Sequence, residues 1–222
     1  DLMEDIPIAY GYENFTEEIP NVATIGEEDA FAVFARRLRE ILIGFGQLEV
    51  KNYHLLTEEE LNTTMNTNEA LVPLKNALGE HNRLRHSLLP SLLKNLAENQ
   101  SNEYPQGIFE VGRVFSFDHF PHTTETGVRE REHLAVAIVH EKADFTEIRQ
   151  VLESLMSALG RQGSVKEALH PSFIAGRVGE IVINGEKIGL IGEIHPQVLA
   201  NWKIIMPVVV LELDAEKLFQ LK

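Results

Sequence analysis

Three carboxylates stand at positions 1, 4 and 5 of the chain, a spacing able to hold a hard metal ion. On a helix Asp1, Glu4 and Asp5 share one face, and like charges so close repel one another. Mg²⁺ would relieve that repulsion, with retained waters and ligands from elsewhere. A solvated acidic helix end is the plainer reading, and spacing alone favours it. Nine histidines offer acid–base or metal chemistry, yet none stands in an H-E-x-x-H pattern or a tight His/carboxylate spacing. His119 and His122 fall in a polar stretch and read as solvated. His170 and His195 each precede a proline, and His195 is placed to cap a helix opening at Pro196. No G-x-S-x-G elbow and no G-K-[ST] phosphate loop occurs. The chain has no cysteine, which excludes thiolate catalysis, disulfides and Cys-based zinc sites. No catalytic residue set emerges.

The elements that must position these groups are legible from periodicity. Residues 1–12 read as the last turns of a helix, and 13–23 as a linker containing Pro20. Thr24-Ile25-Gly26-Glu27 fits a capping box. Behind it Phe31, Phe34, Leu38, Ile41 and Phe45 recur at three- and four-residue steps, one seam facing a neighbour. The seam serves equally as a subunit interface or as the inner face of a core helix. Gly44 and Gly46 end it. Residues 48–56 read as a strand, followed by a second capping box at Thr57 to Glu60. A leucine-striped helix is predicted over 87–99, a half-buried strand over 107–117, a polar loop over 118–131 and a strand over 133–140.

Asp144 and Glu147 open a helix that runs to Gly160. Residues 180–194 form a hairpin about Asn184-Gly185, a dipeptide suited to a type I′ turn. A short helix at Pro196, a strand over 208–213 and an Asp214-capped helix complete the chain. Gly176, Gly179, Gly189 and Gly192 mark close backbone packing rather than phosphate binding. Several strand candidates joined by hairpins, without a βαβα rhythm, predict an α+β fold with an antiparallel sheet flanked by helices.

The 222 residues, 44% hydrophobic and 24% charged, suffice for one sizeable core. The chain reads as a piece of a longer protein. No apolar run approaches the roughly 18–20 residues of a membrane span, and no signal peptide is visible. A cytoplasmic location is expected. The formal net charge of −14 repels phosphate backbones, so broad nucleic-acid binding by this chain alone is not expected. Arg36, Arg37 and Arg39 read as a solvated or salt-bridged helix face. Arg83 and Arg85 could meet RNA, against acidic surroundings.

The text itself resembles a known family. DLMEDIPIAYGYENF, LRHSLLPSLLKNLAENQ, GIFEVGRVF and GLIGEIHPQVL followed by VVVLELDAEKL are similar to the C-terminal part of phenylalanyl-tRNA synthetase β subunits of the archaeal and eukaryotic type. The resemblance runs through essentially the whole chain. It implies that residues 24–222 are a class II synthetase-like, catalytic-like module, and that residues 1–23 are the end of a preceding small domain plus a linker. It implies an α subunit as partner in an (αβ)₂ assembly that attaches phenylalanine to its tRNA with ATP, the active site lying in the α subunit. Asp1, Glu4 and Asp5 match the family's Mg²⁺ ligand positions, shared with that subunit, with one further acidic ligand upstream.

The departures matter as well. Phe109-Glu110-Val111-Gly112 stands where an F-R-x-E element would hold ATP, without its arginine. The late segment from Gly189 to His195 lacks the arginine that would meet nucleotide phosphates. An adenylate-forming site needs such cations. The chain is therefore expected to be non-catalytic alone and not to bind ATP. The alternatives are an independent amino-acid ligase on the same fold and a synthetase-like module that binds an amino acid without reacting it.

Overall fold

A computed structural model describes residues 2–19, 21, 26–77, 79–118 and 125–221. Its centre is a seven-stranded sheet. The long strands are β4 (Gln106–Phe117), β5 (Val128–Val139), β7 (Phe173–Ile183), β8 (Glu186–Ile194) and β9 (Val208–Asp214), and the short ones in it are β1 (Leu48–Glu49) and β6 (Ser164–Glu167). Their order is β1-β4-β5-β9-β8-β7-β6. All neighbours are antiparallel except β1, which pairs parallel with β4 through Leu48 and Glu49. The sheet is thus mixed, and the expected wholly antiparallel arrangement fails at one edge. β2 (Leu55–Leu56) and β3 (Arg83–Leu84) form a separate small ladder.

The sheet is buried on both faces. Along β5, Leu134, Val136 and Ile138 enter one hydrophobic cluster, while Ala135, Ala137 and Val139 enter another. β9 repeats the split, with Val209, Leu211 and Leu213 on the first side and Val208 and Val210 on the second. Side chains alternate across a strand, so two clusters mean two covered faces. Helices α2 (Ala30–Gly44), α4 (Phe145–Ala158) and α6 (Ala215–Gln220) cover the first; α3 (Leu89–Glu98) and α5 (Pro196–Asn201) cover the second. β4 is accordingly buried through most of its length rather than half-buried. A strand covered on both faces loses the alternation that periodicity reads.

Local signals fared unevenly. The Asp144 carboxylate caps α4 by accepting from the Glu147 N–H, and Asp214 caps α6 by accepting from the Lys217 N–H. His195 Nδ1 accepts from the Gln197 N–H at the start of α5. Thr57 and Glu60 form the reciprocal box, ahead of a single π-type turn over Glu59–Thr63. Asn184 and Gly185 hold φ of 51° and 85°, both positive as the hairpin turn requires. By contrast, Thr24 and Ile25 lie outside the described residues, and the described helix starts later, capped by Asp29 through the Ala32 N–H. Residues 48–56 are not one strand but two dipeptides in different sheets. Residues 128–131, expected as loop, extend β5, where their charged side chains alternate with the partner strand.

Helix α1 (Leu2–Tyr10) buries none of its residues. Leu2, Met3, Ile6, Ile8 and Tyr10 are all exposed. Its backbone connects onward through a short 3₁₀ turn at Tyr12–Asn14.

Candidate functional site

The second face of the sheet carries polar side chains at the end where α3 and α5 leave it open. Strand parity puts Arg131 and His133 of β5 on the same face as Ala135, and Glu212 and Asp214 of β9 on the same face as Val210. Arg131, His133, Glu212 and Asp214 line a cavity of about 320 Å³. Met65, Leu89, Pro90, Phe173, Ile188, Gly189 and Leu190 give it apolar surface, and His86, His170, Glu69, Lys187 and Lys217 are among its other lining residues. A Cβ on Gly189 would run into the Glu212 carbonyl oxygen, so glycine is required where β8 crosses β9.

Glu212 is the pivot. Its carboxylate accepts from Ser87 Oγ at 2.6 Å, from the Leu88 N–H at 3.2 Å and from His133 Nδ1 at 2.7 Å. Burial by itself would raise the carboxyl pKa. The bond and charge of His133, with the Ser87 and Leu88 donors, outweigh burial and hold it below the ordinary value. The carboxylate is therefore ionised at neutral pH, and His133 Nδ1 carries the proton it donates. Ser87 and Leu88 immediately precede α3, so this one carboxylate ties the helix entry to the sheet.

His86 and His170 stand beside this group. Burial depresses both imidazoles, with the Glu212 and Glu69 carboxylates opposing it at His86. His170 Nδ1 accepts from the Ser172 N–H, and Ser172 Oγ donates to the Met65 carbonyl. His86 Nδ1 is buried without a hydrogen-bond partner. Arg131 Nη1 lies 2.6 Å from Asp214 Oδ2.

A second polar group lies deeper on the same face. Arg85 and Glu110 are both fully buried and paired at 2.8 Å. Arg85 Nε also donates to the Arg113 carbonyl, and Glu110 accepts from Asn52 Nδ2. A Cβ on Gly112 would collide with both members of the pair. This makes Gly112 the space into which the ion pair fits. Arg85 is thus closed off from any nucleic acid. Arg113 faces Glu130 and Glu132 on β5, and its pKa is raised by them, Glu132 first. Arg36 and Arg39 pair with Glu28 and Glu49, while Arg37 donates to the Ala158 carbonyl.

The residues singled out from sequence fall elsewhere. Glu4 and Asp5 lie in the exposed first turn of α1, and Asp1 lies outside the described residues. No group of three or more His, Asp or Glu side chains among the described residues is arranged to hold a metal. His119 and His122 also lie outside the described residues. Of the aromatic seam, Leu38 is fully buried, and Phe31, Phe34 and Ile41 pack against the same core. Phe31 and Phe34 meet Phe219 of α6 with ring centroids 5.7 and 5.4 Å apart. Phe45 is 39% exposed, and Val33 and Ile43 on the outer side of α2 are exposed with it. Sequence reasoning missed the Glu212 and Arg85 groups. Their only trace was a charged residue amid apolar ones, Glu212 within VVVLELD and Glu110 within GIFEVG.

Comparison with known proteins gives the arrangement a context. Residues 16–215 match the family model described as the phenylalanyl tRNA synthetase beta chain CLM domain. The chain is 42% identical over 215 residues to a phenylalanine–tRNA ligase beta subunit of Thermococcus sibiricus, covering 96% of this chain and 38% of that protein. It is 41% identical over 222 residues to that of Pyrococcus abyssi, covering 99% and 39%. With that of Methanococcus aeolicus it shares 38% over 218 residues, covering 96% and 39%. The chain thus spans about two fifths of the length of the curated relatives it matches.

Proposed function

Because the chain belongs to the phenylalanyl-tRNA synthetase β chain family, we propose that it is a non-catalytic module of a phenylalanine–tRNA ligase β subunit. Its work is structural: it holds an α subunit in an (αβ)₂ assembly that attaches phenylalanine to tRNA with ATP. Its sheet and flanking helices are a class II synthetase-like fold, with residues 24–222 the module and 1–23 the end of a preceding domain and its linker. The enzyme is cytoplasmic. No helix among the described residues is long and apolar enough to cross a membrane.

The observation that carries the non-catalytic reading is the commitment of the cations. Arg85 is sealed against Glu110, Arg113 spans Glu130 and Glu132, and Arg131 is held by Asp214. Phosphoryl chemistry needs positive groups aimed at the transferring phosphate. These three are aimed at the protein's own carboxylates. The outer side of α2 supports the assembly reading. The inner side of the seam serves the core through Phe31, Phe34, Leu38 and Ile41, while Val33, Ile43, Phe45 and Leu48 of the edge strand β1 are exposed. These exposed apolar side chains are what the chain offers to the α subunit.

Magnesium does not fit the described residues by themselves. Glu4 and Asp5 project from an exposed helix, and among the described residues no third ligand converges on them. A site at Asp1, Glu4 and Asp5 is complete only with ligands contributed from elsewhere, and no step of the reaction is assigned to it. The test of the central reading is ATP–pyrophosphate exchange. The purified chain with phenylalanine and ATP is expected to exchange no label, whereas exchange above background would establish an adenylate-forming ligase instead.

A further inference from the structure

We propose that His170 is a proton-operated latch on the wall of the cavity over β5, β8 and β9: the neutral imidazole locks Ser172 and Met65 together, and the imidazolium releases them. The device lies within this chain and is independent of the assembly reading.

One hydrogen bond fixes the state of the ring. His170 Nδ1 lies 3.2 Å from the backbone nitrogen of Ser172, two residues on. A backbone amide only donates, so Nδ1 is a bare lone pair and the ring proton sits on Nε2. The turn is the imidazole counterpart of an Asx-turn, in which a side-chain acceptor takes the N–H of the second residue on. Protonation puts a hydrogen on Nδ1 and makes the acceptor a second donor. Turning the ring over restores nothing, because both nitrogens of an imidazolium carry hydrogen. The ring must then leave, and the Ser172 N–H loses its acceptor. Ser172 is fully buried, so bulk water does not make good the loss.

Ser172 is a junction. Its carbonyl accepts from the His195 N–H, its hydroxyl donates to the Met65 carbonyl, and Phe173 after it opens β7. Met65 Sδ in turn accepts from Trp202 Nε1 at 3.4 Å. Met65, His170, Ser172 and Phe173 all line the cavity. The chain of bonds therefore fastens the segment bearing Met65 to the start of β7 across the cavity wall. Once Ser172 lets go, that segment is tied to α5 by exposed bonds from Asn201 to Thr64 and Asn66, and by the weak bond from Trp202 to sulfur.

The groups around the ring set where it titrates. Burial is the largest influence and holds the pKa of His170 below its ordinary value. Lys187 of β8 and His86 before α3 act with burial, while Glu69, from the segment bearing Met65, and Glu212 of β9 act against it. The other charged groups of the cavity are engaged, His133 by Glu212, Arg131 by Asp214 and the Lys217 ammonium by the Lys187 carbonyl. A lowered value means that the latch is shut above about pH 6.5 and opens as pH falls below it.

The chain has a single tryptophan, Trp202, so fluorescence reports on the Met65 contact. Between about pH 7.5 and about pH 5 the emission of the unaltered chain is expected to move to the red, with a one-proton midpoint below about 6.5 and unchanged far-ultraviolet circular dichroism. His170→Asn, whose side-chain oxygen takes the Ser172 N–H without titrating, is expected to keep the unshifted emission throughout. His170→Leu, with no acceptor, is expected to be red-shifted already at about pH 7.5. His86→Asn is expected to retain the transition, which separates the latch from its neighbour. Whether or not the variants fold, long-range ¹H–¹⁵N correlation on the unaltered chain at about pH 7.5 is expected to show His170 as the Nε2–H tautomer. An Nδ1–H tautomer, emission that does not respond to pH, or a red shift that persists in folded His170→Asn overturns the proposal.

Discussion

At the residue scale the decisive groups are buried charges, and their partners are far away in sequence. Arg85 meets Glu110 across 25 positions, and Ser87 meets Glu212 across 125. A buried pair is costly to break, because the survivor is left charged and unpaired. Arg85→Met is expected to destabilise the chain by about 3–5 kcal/mol, while Arg85→Met with Glu110→Leu recovers much of that loss. Urea denaturation of the single and double variants measures both, and equal losses would show that the pair has no special weight.

The depressed imidazoles give a pH prediction at the same scale. His86 and His170 bind a proton less readily folded than unfolded. Stability is then fully present above about pH 6.5, the unfolded value, and falls as pH drops toward the lower folded values. His86→Asn with His170→Asn is expected to flatten that decline between about pH 6.5 and 5. Denaturation midpoints across this range test it, and an unchanged slope would place the titration elsewhere.

At the scale of elements, the sequence was most legible where a local hydrogen bond decides the structure. Asp144, Asp214, Thr57 with Glu60, and Asn184-Gly185 each specify a start or a turn within four residues. Asp144→Ala is expected to cost about 1 kcal/mol, the usual worth of a helix cap, read as a lower denaturation midpoint with an unchanged slope. Legibility failed where distant partners decide. β4 reads as half-buried until α3 covers its second face. Residues 48–56 read as one strand until Leu48 is drawn to Ile108 and Leu55 to Leu84 in separate sheets. The short β6 escaped notice because Ser164 to Glu167 holds only one apolar residue, Val165, and its pairing is supplied by β7. The candidate cavity was hidden for the same reason. Its residues come from β5, β7, β8, β9, α3 and its entry, α6 and two loops, and no spacing links them.

At the scale of the whole molecule, a two-faced sheet carries a cavity on one side, and Arg85, Arg113 and Arg131 are turned upon the protein's own carboxylates. Among its exposed apolar side chains are Val33 and Ile43 of α2, Phe45 just beyond it and Leu48 of β1. The most direct test of its role is co-expression with a phenylalanyl-tRNA synthetase α subunit, followed by size-exclusion chromatography with light scattering. The two are predicted to co-elute as one complex, and Ile43→Asp with Phe45→Asp, both exposed at the C-terminal end of α2, is predicted to release the α subunit while the chain stays folded. Elution of the unaltered, folded chain apart from a folded α subunit would contradict it.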